Sequence, residues 1–145
     1  MKNTLIISII ALSFLFGGCN TTNTKETEVK DTKKAPLEVT KSSTIYEVNI
    51  RQYTPEGTFN AFSSHIPRLK KMGVDILWIM PIHPIGEKKR KGGKGSYYAV
   101  KDYKDVNPEF GTKSDFKKLV DIAHENDMLV ILDWVANHTA WDHPW

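Results

Sequence analysis

Asp133, Asn137 and His138 follow directly on the apolar run Leu129-Val130-Ile131-Leu132. Carboxylate and amide oxygens accept hydrogen bonds or bind a hard cation, and an imidazole donates to a hydroxyl or an anionic neighbour. Singly, each residue has a plainer use. Asp133 can cap a turn, Asn137 can take a left-handed conformation, and His138 can be a surface histidine. As a set at the end of one strand they point to a ligand site. A metal cluster of Asp133, His138 and His143 fits no standard zinc spacing. The basic stretch Lys88 to Lys94 lacks the Gly-Lys-Ser/Thr ending of a phosphate loop and reads as a solvated, mobile loop.

These residues need elements to place them. Thr44 to Ile50 is β-branched and aromatic, and Thr54-Pro55-Glu56-Gly57 closes it with a turn. Ile66, Leu69 and Met72 recur at helical spacing before Gly73, with Pro67 tolerated in the first turn. Val74 to Met80 is a nearly continuous apolar run ended by Pro81, as expected of a strand covered on both faces. Thr112 to Asp115 has capping-box spacing, and Phe116, Leu119, Val120 and Ala123 continue the apolar stripe of a second helix. Met128 to Leu132 then reads as another buried strand.

The order strand, helix, strand, helix, strand implies an α/β fold with parallel strands. No Gly-x-Gly-x-x-Gly opens a helix after a strand, which counts against a dinucleotide site. Three such strands make either a small domain or part of a (β/α)8 barrel, which needs roughly 250 residues. At that face of a barrel, strand ends carry the groups that handle ligands.

The N-terminal stretch reads as an address rather than as fold. Lys2 precedes an apolar run from Leu5 to Phe16. That run is too short for a transmembrane helix, which needs about 20 apolar residues, and suits a secretory signal. Leu15-Phe16-Gly17-Gly18-Cys19 resembles the lipobox of a bacterial lipoprotein, so residues 1–18 are expected to be a signal peptide and Cys19 to carry lipid. Cys19 is the one cysteine of the sequence, so no internal disulfide competes for it. Residues 20–43 are polar and rich in Thr, Lys and Glu, a composition that cannot offset its chain entropy by burial. Residues 19–43 therefore form the lipidated Cys and a disordered tether, and the protein is expected to be exported and held at the bacterial cell envelope, on the periplasmic or the outer-membrane face. The charges of the tether alternate in sign and the net charge is only +3, so nucleic acid is not an expected partner.

Asp133-Trp134-Val135-Ala136-Asn137-His138 resembles the first conserved region of the α-amylase family of glycoside hydrolases. Gly73 to Pro81 is similar to that family's second-strand signature. Ser96 to Tyr103 and Asn107 to Thr112 resemble its approach to the second helix, and Asp115 to Val120 with Ala123-His124 continues the likeness. The resemblance runs in the family's order from Thr44 to Trp145. It implies that residues 44–145 are the first three strands and two helices of an α-amylase-type TIM (β/α)8 barrel, incomplete in this chain.

Residue roles follow from the same resemblance. Tyr98 corresponds to the tyrosine that stacks on the sugar beside the scissile bond, its four-residue spacing to Asp102 separating it from Tyr97. His138 corresponds to the histidine that hydrogen-bonds that sugar, and Asp133 to an aspartate that orders the site floor. Asn137 corresponds to a calcium ligand in many members. Trp141 and Trp145 lie where the family's inserted second domain begins, and serve either a glycan groove or packing. The resemblance implies a retaining glycosidase acting on α-glucans or maltooligosaccharides. Such enzymes need two carboxyl groups about 5–5.5 Å apart. In the family these lie on the fourth and fifth strands, so no catalytic carboxylate is assigned within this chain. The other readings are a non-catalytic glycan-binding lipoprotein, a truncated remnant and an unrelated small α/β domain.

Overall fold

The computed structural model describes residues 41–145. Cys19, the signal segment and most of the tether lie outside the described residues. Three parallel strands, β1 (Ile45–Val48), β2 (Ile76–Ile79) and β3 (Leu129–Leu132), form one sheet in the order β1-β2-β3. Ile45, Ile76 and Leu129 stand in one row of the register, and Val48, Ile79 and Leu132 in another.

The strand–helix alternation is as expected, but the first crossover is more broken than the sequence pattern suggests. Between β1 and β2 run three short helices, α1 (Ile50–Tyr53), α2 (Phe59–Ser63) and α3 (Ile66–Lys71). Ile50 belongs to α1 rather than to the first strand, because its buried side chain anchors that turn to the core. Phe59, in α2, packs edge-on against Phe110 with ring centroids 5.9 Å apart and also meets Phe116. Pro67 sits in the first turn of α3, where its missing N–H costs nothing.

The second crossover carries α4 (Lys113–Glu125). Its N-terminus is closed by a capping box: Thr112 Oγ1 accepts from Asp115 N–H, and the Asp115 carboxylate accepts from Thr112 N–H at 2.8 Å. The Thr112 hydroxyl, ahead of the Thr112 N–H and Asn60, holds the Asp115 carboxyl below its ordinary range. Leu119 and Ala123 are buried where α4 packs on α2 and β3.

Successive strand residues point to opposite faces. Tyr46, Val48, Leu77, Ile79, Val130 and Leu132 share the face on which the helices pack. On the other face Ile45, Trp78, Leu129 and Ile131 are exposed, and only Ile76 in the central strand is buried. The apolar runs suit two-sided burial, but among the described residues only one layer lies against the sheet. Asp133 N–H donates to Ile79 O at 2.8 Å and prolongs the ladder by one residue. The Asp133 side chain therefore continues the open face of Leu129 and Ile131, at the C-terminal edge of the sheet.

Candidate active site

Tyr98 and Asp133, 35 residues apart, meet at that edge. The Tyr98 hydroxyl donates to Asp133 Oδ2 at 2.9 Å. Burial, then this hydrogen bond to the carboxylate, raises the Tyr98 pKa above its ordinary value. The phenol thus stays protonated and goes on donating to Asp133 at neutral pH. Tyr97 has a separate job: its hydroxyl accepts from Asn49 Nδ2 at 3.1 Å, and the Arg51 guanidinium lies 4.3 Å from its ring centroid. The two tyrosine hydroxyls therefore have different partners.

His138 is exposed and lines a cavity of about 320 Å³ together with Tyr98. Its Nδ1 faces Asn137 Nδ2 at 3.4 Å. Among non-glycine described residues only Lys89 and Asp127 have positive φ. Asn137 is therefore not held in place by a left-handed backbone.

Asn137 is the expected calcium ligand. Calcium takes 6–8 oxygen ligands, and Asn137 offers one amide oxygen on an exposed side chain. Among the described residues no group of three or more His, Cys, Asp or Glu is placed to hold a metal ion. These residues alone do not make a calcium site, and no step below runs through one.

Two residues outside the expected set shape the site. Tyr103 lies beneath the loop after β3. Its hydroxyl is within hydrogen-bond distance of Val135 O and, at 2.9 Å, of His138 O. One proton serves one carbonyl at a time, so the phenol bridges both ends of the loop. His83, Trp134, His143 and Trp145 pack round the Tyr103 ring. The loop that carries Asn137 and His138 is thus tied from below. Asp142 is the second. Its Oδ2 accepts from Glu87 N–H at 2.8 Å and more weakly from Lys88 N–H. The Glu87 N–H is the main cause holding the Asp142 carboxyl below its ordinary pKa. The basic loop is accordingly solvated but anchored, in contrast to the mobile loop expected from its composition. Sequence spacing shows neither contact, because the partners lie 32 to 55 positions apart.

A larger cavity of about 840 Å³ is lined by residues that include Lys101, Asp102, Asp105, Asn107 and Asp142, but by none of Tyr98, Asp133 or His138. Size and chemistry point to different places here. The smaller cavity is lined by Tyr98 and His138, and convergent polar groups mark a candidate site better than volume does.

A sequence profile described as the alpha amylase catalytic domain matches residues 17–145. The chain belongs to the alpha-amylase family. Alpha-amylase 3 of Dictyoglomus thermophilum is 36% identical over 112 residues, which are 72% of this chain and 21% of that protein. Alpha-amylase SusG of Bacteroides thetaiotaomicron is 42% identical over 91 residues, 61% of this chain and 12% of that protein. Among solved structures, an alpha-amylase from Lactobacillus plantarum matches with a TM-score of 0.69 at 51% identity, covering 70% of this chain and 24% of that one. The chain thus spans about a fifth or less of the length of these curated relatives. Its sheet and helices are part of an alpha-amylase (β/α)8 barrel. The C-terminal strand edge that carries Asp133 is the barrel face on which active sites are built.

Proposed function

We propose that the protein carrying this chain is an α-amylase-type glycosidase that cleaves α-glucosidic bonds of α-glucans or maltooligosaccharides with retention of configuration. The observation that carries the reading is the Tyr98–Asp133 hydrogen bond at the C-terminal edge of the sheet, beside His138. Tyr98 offers an apolar ring face to the C–H face of a sugar, while its hydroxyl is spent on Asp133. Asp133 fixes the ring's orientation and so orders the floor of the site. His138 presents its imidazole to a hydroxyl of the same sugar.

These residues bind and orient, which supports catalysis by holding the scissile bond in a reactive geometry. The bond-breaking carboxyl pair is not assigned to any residue of this chain. The whole protein incubated with maltoheptaose should release shorter maltooligosaccharides whose new reducing ends are first α by proton NMR. First-formed β ends would contradict the retaining step. Binding without any cleavage would favour a non-catalytic glycan-binding role. The same assay after chelation, then with calcium restored, tests Asn137 as one calcium ligand of the whole protein. Unchanged activity and melting temperature would remove that assignment.

Export and lipid anchoring through Cys19 are part of the same proposal and rest on the sequence alone. A Cys19→Ser variant should move from the membrane fraction to the soluble fraction of the cell envelope and lose incorporation of labelled fatty acid. Equal labelling of variant and parent would contradict the anchor.

A further inference from the structure

Tyr98 is held at two ends, and the bond to Asp133 is only one of them. Asp133 Oδ2 fixes the hydroxyl. The backbone end belongs to a tight turn, in which Tyr98 N–H donates to Ser96 Oγ at 3.2 Å and Ala99 N–H to Ser96 O at 3.1 Å. Downstream, this turn is tied to the segment after β2: Gly86 N–H donates to Ala99 O, and Lys101 N–H to Pro84 O. Upstream, the tie comes from the end of β1.

That tie is Arg51, in the short helix α1. Its guanidinium lies 4.3 Å from the centroid of the Tyr97 ring. Nη1 donates to Gly95 O at 3.2 Å and Nη2 to Lys94 O at 3.4 Å. One planar fork therefore grips two successive carbonyls and the ring of the residue before Tyr98, which the point charge of a lysine cannot do. Asn49, the residue after β1, adds a second grip by donating from Nδ2 to the Tyr97 hydroxyl at 3.1 Å. The Tyr97 ring also packs against the core. Arg51 is itself fixed in place. Asn49 O accepts from Gln52 N–H and Tyr53 N–H, which closes α1 round it. Gly57, at φ of 63°, comes so close that a Cβ there would lie 2.9 Å from Arg51 O.

We propose that Arg51 is a positioning residue of the sugar site, resting on the α-glucan reading above. It acts through Gly95 and Tyr97 to set the backbone that carries the Tyr98 ring, as Asp133 sets the hydroxyl. Without the fork the ring pivots about its remaining tether, and the glucosyl unit on it is presented at the wrong tilt. Arg51 touches no substrate and moves no proton.

The test measures kcat and KM of the whole protein on maltoheptaose. Arg51→Gln should lower kcat roughly tenfold, as a small displacement of a reacting geometry does, with KM changed much less. In a Tyr98→Ala background the same change should cost no more than about twofold, because the ring it positions is gone. Arg51→Lys keeps the charge over Tyr97 but loses the fork. It should show the same pattern with a smaller loss, and it carries the comparison if Arg51→Gln does not fold. A full loss that persists in the Tyr98→Ala background would show that Arg51 acts independently of Tyr98 and would overturn the proposal. Parental kcat for Arg51→Gln would overturn it too. Both results leave the glucan reading intact. A parent protein inactive on maltoheptaose would overturn that reading, and the positioning role with it.

Discussion

Replacing Asp133 by Ala in the whole protein is expected to lower kcat on maltooligosaccharides roughly a hundredfold or more, a size typical when a reacting geometry is disturbed by about an ångström. The cause is indirect. Asp133 Oδ2 is the acceptor that holds the Tyr98 hydroxyl, and without it the ring loses its fixed orientation under the sugar. Tyr98→Ala should cost as much, and Tyr98→Phe less, because the phenyl face survives while the tether to Asp133 is lost. The double variant should be little worse than Asp133→Ala alone, since both changes remove one arrangement. Additive losses in that comparison would show that the two residues act independently. The titration has a definite sign. The Tyr98 pKa is raised in the folded protein. Its contribution is therefore complete below the unfolded value near 10.0 and is lost as pH rises through the folded value. No loss from this source is expected on the acidic side.

The second large effect concerns residues 41–145 expressed by themselves. Ile45, Trp78, Leu129 and Ile131 form an exposed apolar face on the sheet, and β1 and β3 each present an unpaired edge among the described residues. Such edges are templates for pairing with other chains, and an uncovered apolar face of this kind drives association. The segment is expected to be largely insoluble, or to bind a hydrophobic dye strongly and melt without a sharp transition. A monomer with a sharp, reversible melt would show that the one helix-covered face of the sheet suffices for stability. Sedimentation and calorimetry on the same sample distinguish these outcomes.

How much of this was legible in the sequence depends on whether the deciding contact is local. The capping box was, because Thr112 and Asp115 are three apart, and so was Asp133 at a strand end, because the apolar run stops there. The parallel order followed from alternation of strands and helices. The split of the first crossover into α1, α2 and α3 was not, since their packing rests on Phe59 meeting Phe110 and Phe116 across the chain. The apolar run of β3 speaks of the whole barrel, while the described residues supply one layer against the sheet. Leu129-Val130-Ile131-Leu132 reads as a strand buried on both faces, whatever layer happens to be present.

At the site, residue types marked Asp133, Asn137 and His138, while only the family resemblance singled out Tyr98. Tyr103 belongs to the resembling stretch Ser96 to Tyr103 but had no role assigned, although an aromatic between Asp102 and Lys104, outside any apolar period, is a hint of a tertiary one. The capping role of Asp142 is likewise invisible in sequence, because a carboxylate that caps N–H groups of a loop 55 positions away leaves no mark in local spacing.

The central claim is that Tyr98, Asp133 and His138 form a sugar site. The most direct measurement is an experimental structure of the whole protein with a bound maltooligosaccharide or a stable analogue. A glucosyl ring should lie against the Tyr98 face, with Tyr98 still donating to Asp133 and His138 Nε2 within hydrogen-bond distance of a sugar hydroxyl. A glycan bound elsewhere, with the Tyr98 face bare, would contradict the account.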